Sequence, residues 1–338
     1  MKMNASVRDS KAQSGSLNRG KSFFVIVIVL LLMANIVTVG FLVYSYLGRE
    51  DSVQQFVNEY PLLDPARNFV AQKHFIVNVQ PLREDLQALV KEFGESSVSL
   101  YVEFLNTGAN IAINPDIYIW PASLAKVPLA MAVMKKIEAG DWNLGNELVL
   151  LPGDRNEESG SEDSPLSEYP FGTRFTIEAL LEELLINSDN TAYYMLIRNI
   201  HADELNQIVD DLGFDALFSD DGKVSAKEYS RMFRALYNAS YLTREHSEMI
   251  LEWLDESTFD DYLSHDLSKE TRFPHKYGEK IDLRVYLDSG IVYLPNRPYL
   301  ITVMVNGQPG ELLDADRERA IQFMRGVSKK VYDYFTAD

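Results

Sequence analysis

The sequence predicts an α+β fold: an antiparallel sheet flanked by N- and C-terminal helices, with an inserted all-helical lobe, preceded by one transmembrane helix. Three observations predict this fold. A charge-free apolar stretch lies near the N-terminus, at residues 23–47. Strand-like segments occur in two groups, within 69–122 and within 266–338. The segment between them, 123–265, has the apolar periodicity of helices instead. One α+β lobe interrupted by a helical lobe accounts for this order.

The apolar stretch is long enough to span a membrane. A helix over 23–47 would measure about 37 Å, against ~30 Å for the hydrocarbon core of a bilayer. Five basic side chains and one acidic side chain precede it, whereas Glu50 and Asp51 follow it. This asymmetry predicts a cytoplasmic tail at 1–21, a single transmembrane helix at 22–47 and an extracytoplasmic body.

A cleaved signal peptide is the alternative to a membrane anchor. It requires a shorter apolar region followed by a small-x-small cleavage site. The residues at 44–48, Tyr-Ser-Tyr-Leu-Gly, fit that requirement poorly. Residues 48–68, interrupted by Pro61 and Pro65, are expected to form a stalk before a domain at 69–338.

The elements of this domain follow from periodicity and turn residues. A helix is expected after Pro81, where Pro suits the first turn. A turn is expected at 278–280, around Gly278. The predicted helices cover 82–90, 123–139, 176–187, 190–199, 202–212, 226–239, 243–255 and 314–335, and the predicted strands cover 98–105, 111–120, 272–278, 283–294 and 299–305.

Composition excludes several classes of function. The formal net charge is −18 and the first 48 residues are basic, so the body is strongly acidic and would repel nucleic acid. The absence of cysteine excludes disulfides, a thiolate nucleophile and Cys-ligated zinc. The five histidines form no H-x-x-x-H pair, and no glycine-rich phosphate motif occurs. We therefore expect no metal and no cofactor.

Three short patterns carry candidate chemistry, and they occur in a fixed order. Ser123-Leu-Ala-Lys126 opens the first predicted helix of the middle segment, Ser188-Asp-Asn190 precedes a later helix, and Lys276-Tyr277-Gly278 lies in a predicted strand. Ser123 and Lys126 are three residues apart, so a helix puts them on one face. The free N–H groups of a helix start favour a developing oxyanion near Ser123.

Lys126 can act as a base only when its amine is neutral part of the time. Burial against the apolar run at 128–133 would lower its pKa, and so would a second cation, for which Lys276 is the candidate. The alternative is that Ser123 is only a helix cap and Lys126 only a surface residue. The two other patterns argue against that alternative.

Together the three patterns resemble the S-x-x-K, S-D-N and K-T-G elements of the penicillin-recognising serine hydrolases, and most closely of class A β-lactamase-like proteins. The resemblance covers about residues 80–335. It implies a β-lactamase/transpeptidase-like fold in which Ser123 is the nucleophile and Lys126 its base. It also implies that Ser188 passes a proton to the leaving group, that Asn190 binds the substrate amide, and that Lys276 attracts a substrate carboxylate.

The resemblance further implies an oxyanion hole formed by the backbone N–H groups of Ser123 and Glu279, next to Gly278. Two departures qualify it. Tyr277 replaces the Thr or Ser that contacts a substrate carboxylate, so carboxylate recognition is altered. The E-x-x-L-N pattern that supplies the deacylating Glu is absent, and Glu228 is expected to be an ordinary residue of a helix's first turn.

The sequence therefore favours a membrane-anchored serine hydrolase that forms an acyl-enzyme with a β-lactam or with a peptidoglycan-like D-alanyl peptide, and loses the acyl group slowly. The alternative is a catalytically degenerate module of the same fold that binds or senses cell wall. Intact Ser123, Lys126 and Ser188 argue for the enzyme.

Overall fold

The computed structural model describes residues 24–43, 55, 57–64, 78–155, 164–214 and 222–337. The chain divides into two compact units, Met1–Glu59 and Tyr60–Asp338.

The first unit contains helix α1, Phe24–Val43. Its 20 residues have a mean hydropathy of 2.9, and none of the helix is buried in protein. Its length and composition would allow it to cross a membrane, although a signal sequence near an N-terminus has the same properties. The other residues of the predicted tail and span, 1–23 and 44–47, lie outside the described residues.

The second unit begins at Tyr60, earlier than the expected domain start at residue 69. Leu62 and Leu63 are buried, and the Leu62 N–H donates to the Glu248 carboxylate at 3.0 Å. The Leu62 carbonyl accepts a hydrogen bond from the Tyr293 hydroxyl. The end of the expected stalk is therefore part of the domain, because its apolar side chains and backbone groups are satisfied there.

The main sheet has five antiparallel strands in the order β2-β1-β7-β6-β5. Its strands are β1 (Val98–Phe104), β2 (Ala109–Ile113), β5 (His275–Lys280), β6 (Val285–Val292) and β7 (Tyr299–Asn306). The flanking helices α2 (Gln80–Phe93) and α9 (Leu313–Thr336) pack against each other, and their apolar side chains join those of the sheet in one core. The predicted fold class is confirmed.

Every residue of β1 and β6 is buried, because the sheet is covered on both faces. Helix α7 (Ala226–Tyr237) packs on β1, β6 and β7, and it belongs to the inserted lobe. The other helices of that lobe are α3 (Lys126–Glu138), α4 (Ile177–Ile186), α5 (Asn190–Ile197), α6 (Ala202–Leu212) and α8 (Arg244–Asp255).

Three sequence predictions about elements are wrong. The inserted lobe is not all-helical, since β3 (Glu147–Val149) pairs with β4 (Arg174–Thr176). The predicted strand at 111–120 ends at Ile113, and only Ile119 forms a further bridge, to Val224. Residues 278–280 continue β5 instead of turning, because their backbone pairs with β6. The turn follows at Ile281–Leu283, with Arg284 at a left-handed φ of 56°.

Candidate active site

Ser123 lies in a 3₁₀ turn, Ala122–Ala125, that leads directly into α3. Pro128 is in the first turn of α3, where its missing N–H leaves no helical hydrogen bond unmade. Ala122 adopts a left-handed φ of 45°, which is strained for a residue with a Cβ. Strain of this kind persists where the surrounding structure enforces it, and it often marks a functional site.

The amine of Lys126 is the centre of the candidate site. Its Nζ lies 3.2 Å from Ser123 Oγ and 3.0 Å from Ser188 Oγ. It also donates to the Ser188 carbonyl and to Asn190 Oδ1, both at 2.5 Å. Lys126 is 3% exposed and forms no ion pair with the described residues. The amine is thus held by neutral oxygen atoms in a buried position.

Burial lowers the pKa of Lys126 to about 7, and the charge of Asp189 opposes part of this shift. The charged form is disfavoured because an ammonium loses hydration when it is buried. Lys276 is the predicted second cation. Burial, and then the charge of Lys126, lower the pKa of Lys276 well below its usual value.

Ser188 and Asn190 reach the amine because the connection between α4 and α5 is tightly held. Ser188 has a left-handed φ of 55°. The buried Asp189 carboxylate accepts from the N–H of Ala192, which caps α5, and from the N–H of Leu166 at 2.9 Å. Asp189 therefore orders the loop.

Strand β5 forms the opposite wall of the site and is the edge strand of the main sheet. The Tyr277 side chain hydrogen-bonds that of Ser188. The neighbouring Lys276 is fully buried, and its Nζ lies 4.3 Å from the centre of the Tyr277 ring. Among the described residues, Lys276 Nζ has no hydrogen-bond partner.

Gly278 lets β5 approach the backbone of the Ser123 turn. A Cβ at Gly278 would lie 3.1 Å from the Ser123 nitrogen and 3.3 Å from the Leu124 nitrogen, so a larger residue would crowd this contact. The next residue, Glu279, turns its carboxylate elsewhere, where it accepts from Tyr262 at 2.6 Å and Arg317 at 3.1 Å. Its backbone, rather than its side chain, is therefore the part available to the site.

Two groups near the site were not found from the sequence. Phe259 stacks on Tyr277, with ring centroids 3.6 Å apart and an interplanar angle of 8°. Behind Lys276, the buried Asp288 carboxylate lies 2.8 Å from His275 Nδ1. Phe259 lies in an irregular connection without apolar periodicity, and Asp288 lies within a strand. No local sequence pattern therefore marks either residue as part of the site. Among the described residues, no group of three or more His, Asp or Glu could hold a metal ion.

The eight predicted site residues lie on three segments: the Ser123 turn with the start of α3, the loop from Ser188 to the start of α5, and strand β5. A serine and a buried lysine at the start of a helix, a second serine from a neighbouring loop and an edge strand with a buried lysine define the class of penicillin-recognising serine hydrolases. The model of a family described as the beta-lactamase enzyme family matches residues 81–335. The chain therefore belongs to the beta-lactamase enzyme family.

Curated relatives align with part of the chain. The beta-lactamase regulatory protein BlaB of Streptomyces cacaoi is 30% identical over 139 residues, which cover 41% of this chain and 43% of BlaB. Beta-lactamase VEB-1 of Pseudomonas aeruginosa is 30% identical over 96 residues, 28% of this chain and 31% of VEB-1. The chain thus spans less than half the length of these relatives.

Solved structures share the fold over most of the chain. A beta-lactamase from Sphaerobacter thermophilus has a TM-score of 0.65 at 20% identity, covering 77% of this chain and 98% of that protein. The L158E mutant of PBP-A, solved as an acyl-enzyme complex with penicillin G, has a TM-score of 0.64 at 23% identity, covering 75% of this chain and 97% of PBP-A.

Proposed function

We propose that this chain is an acyl-transfer enzyme in which Ser123 attacks an amide carbonyl and Lys126 is the base. The observation that carries the proposal is the Lys126 amine, buried 3.2 Å from Ser123 Oγ with a pKa of about 7. About half of such an amine is neutral at pH 7. An ordinary lysine at that pH would be almost fully charged and unable to accept a proton.

The contacts of the amine favour proton transfer from Ser123. A neutral amine has two N–H donors and one lone pair. The Ser188 carbonyl and Asn190 Oδ1 can only accept, and both lie 2.5 Å from Nζ, so they match the two N–H groups. The lone pair is then left for a hydroxyl, and Ser123 Oγ is within reach. The amine thus takes the Ser123 proton as Oγ forms its bond to the carbonyl carbon.

The negative oxygen that develops would accept from the backbone N–H groups of Ser123 and Glu279, which the Gly278 contact holds close together. The proton on Lys126 would pass through Ser188 Oγ, 3.0 Å away, to the leaving nitrogen as its bond to carbon breaks. Asn190 would hold the substrate amide. Water would then hydrolyse the ester on Ser123.

We propose a β-lactam or a D-alanyl-peptide amide as the acyl donor. The L158E mutant of PBP-A, whose fold the chain shares, was solved as an acyl-enzyme complex with penicillin G. Deacylation should be slow, since the E-x-x-L-N pattern is absent from the sequence. Glu228, the acidic residue in the first turn of α7, supports this view. Its carboxylate accepts from the N–H of Ser225, the N-cap residue of α7, and the side chain is buried. The Glu228 carboxylate is thus engaged in the capping box of α7.

For localisation we propose that α1 is an uncleaved anchor. The basic residues before it and the acidic residues after it support a cytoplasmic N-terminus and an extracytoplasmic catalytic domain, single-pass in the cell membrane. The proposed peptidoglycan-like substrate lies on the same side.

The test is intact-protein mass spectrometry of the full chain after exposure to penicillin G. We expect an adduct of the mass of penicillin on Ser123 that persists for many minutes. Ser123→Ala should form none, whereas Ser96→Ala, an exposed serine in the turn after α2, should be acylated like the wild type. No adduct on folded wild type at saturating penicillin would contradict the acyl-enzyme proposal, and rapid turnover would contradict slow deacylation.

The second candidate is a binding module without turnover. The buried, unpartnered Lys276 under Tyr277 favours it, since no cation is presented to a carboxylate. It predicts that muropeptide binding survives Ser123→Ala and that the wild type releases no product. Product formation by the wild type that Ser123→Ala abolishes would exclude it.

A further inference from the structure

We infer that Tyr277 makes this site selective for acyl donors whose leaving group carries no carboxylate. The inference rests on the proposed acyl-transfer function and narrows its substrate class. It follows from what the Tyr277 ring covers, what holds the ring in place and which charges surround it.

The Tyr277 ring is held on one side by an aromatic stack. Phe259 lies against it with centroids 3.6 Å apart and planes 8° apart, and Phe259 in turn packs edge-on against the buried Tyr262, with centroids 4.8 Å apart. Moving the ring away would break this close stack and expose its apolar faces to water. The ring therefore forms a fixed part of the wall.

The Tyr277 ring also covers Lys276, the cation carried by β5. Lys276 Nζ lies 4.3 Å from the ring centroid, the residue is 0% exposed, and the atom has no hydrogen-bond partner among the described residues. A carboxylate can pair with Lys276 only if the ring moves away. Because burial and the nearby Lys126 lower the pKa of Lys276, its charged form is also disfavoured. The site thus presents no exposed cation at this position.

The phenol oxygen adds a second obstacle. Tyr277 hydrogen-bonds Ser188, the group that also contacts the Lys126 amine. Burial raises the pKa of Tyr277, and the charge of Glu279 raises it further, so the phenol stays neutral and can donate its proton. A short Thr hydroxyl would leave space for a carboxylate, whereas the phenol fills that space and already has its partner.

The surrounding charge has the sign that repels an anion. Glu279 and the buried Asp288 both act on Tyr277, and Arg317 offsets only part of their effect. The whole chain has a net charge of −18, and because residues 1–48 carry a net +4, the rest of the chain carries −22. An anionic leaving group would enter this field with Lys276 covered by the Tyr277 ring, so a neutral leaving group is favoured.

This selectivity separates the candidate substrates. A β-lactam carries its carboxylate on the leaving-group side, yet ring strain drives its acylation, so penicillin stays a valid probe of Ser123. A strain-free peptide would be cleaved at an amide whose leaving amine bears no free carboxylate, such as an internal or amidated position.

The experiment compares two thioesters that differ in one group: phenylacetylglycyl thioglycolate and its carboxamide. Attack of Ser123 forms the acyl ester, breaks the C–S bond and releases the thiol, which takes up the proton held by Lys126. A chromogenic disulfide reports the thiol without protein background, because the chain has no cysteine. Rates are measured as kcat/KM on the full chain in detergent, each divided by the rate of the same thioester with hydroxide.

We expect the wild type to prefer the carboxamide by at least about tenfold. Tyr277→Thr should move the ratio towards the carboxylate by at least about tenfold, because it uncovers Lys276. Tyr277→Phe keeps the ring and should keep the preference for the carboxamide, whatever its rate.

A wild-type preference for the carboxylate thioester would overturn the inference. This outcome needs only the wild type, so it holds even if Tyr277→Thr does not fold, as a loss of cooperative thermal unfolding would show. An unchanged ratio in folded Tyr277→Thr would overturn it as well. Failure of the wild type to release thiol from either ester would contradict the acyl-transfer activity itself, and the selectivity with it. If the wild type releases thiol but prefers the carboxylate thioester, only the proposed selectivity is overturned, and the acyl-transfer activity stands.

Discussion

The buried Lys126 amine predicts how acylation of Ser123 depends on pH. With a pKa of about 7, most of the base is neutral only above that pH. The neutral fraction is about 9% at pH 6 and about 91% at pH 8, so the rate should rise about tenfold and level off. A solvated lysine of pKa 10.5 would give an approximately hundredfold rise over the same range, with no plateau.

The assay is the initial rate of covalent labelling by a fluorescent penicillin between pH 5.5 and 9, with thermal unfolding measured at each pH. Lys126→Ala should reduce the rate by about a hundredfold or more, the usual contribution of a general base. Asp189→Asn should move the midpoint of the pH dependence of the labelling rate to lower pH, because in the wild type the Asp189 charge raises the pKa of Lys126. A rate that keeps rising tenfold per pH unit through pH 9 would refute a neutral Lys126 as the base.

Three further predictions concern positions outside the catalytic pair. Gly278→Ala should lower the labelling rate by at least about tenfold, because its Cβ crowds the Ser123 nitrogen that would bind the oxyanion. The control Gly326→Ala, where a Cβ meets nothing within 4 Å, should leave the rate unchanged. Equal labelling rates of the two variants would contradict the close approach of β5 to the Ser123 turn. Leu62→Ala should lower the free energy of unfolding, measured with denaturant, by about 2–5 kcal/mol. Leu312→Ala, at an 81% exposed position, should lower it by less than about 0.5 kcal/mol. An equally small effect at Leu62 would mean that the segment at 60–64 does not pack against the domain. Burial raises the pKa of Glu248 to about 7 from 4.5, so its contribution to stability is present below about pH 4.5 and is lost as the pH rises through 7, by up to about 3 kcal/mol. The free energy of unfolding of Glu248→Gln should lack this loss, and an equal pH dependence of the wild type and Glu248→Gln between pH 4.5 and 8 would count against the prediction.

Much of the fold could be predicted because its signals are local. Apolar periodicity located α6 at 202–212 with its bounds, since one face of that helix is buried and the other is solvated. Pro128 indicated a helix start within a few residues, because Pro is tolerated only in a first turn. The turn at 278–280 was mispredicted because Gly278 signals a turn locally, whereas here it allows β5 to lie against the Ser123 backbone.

Docking of the segment at 60–64 could not be predicted for a related reason. Two prolines and a polar context indicate a stalk, but the partners of Leu62 are Glu248 and Tyr293, far along the chain. Pairings of that separation depend on how α8 and the end of β6 meet in space. No local pattern carries that information.

The order of the three motifs and the absence of thiol chemistry follow from the sequence alone. So does the proximity of Ser123 and Lys126, because residues three apart on a helix share a face. The burial of the Lys126 amine beside Ser188 and Asn190, and the position of Tyr277 between Phe259 and Lys276, depend on the tertiary structure. Burial and long-range contact set the pKa of an amine and the access to a cation, and both depend on which distant segments the chain topology brings together.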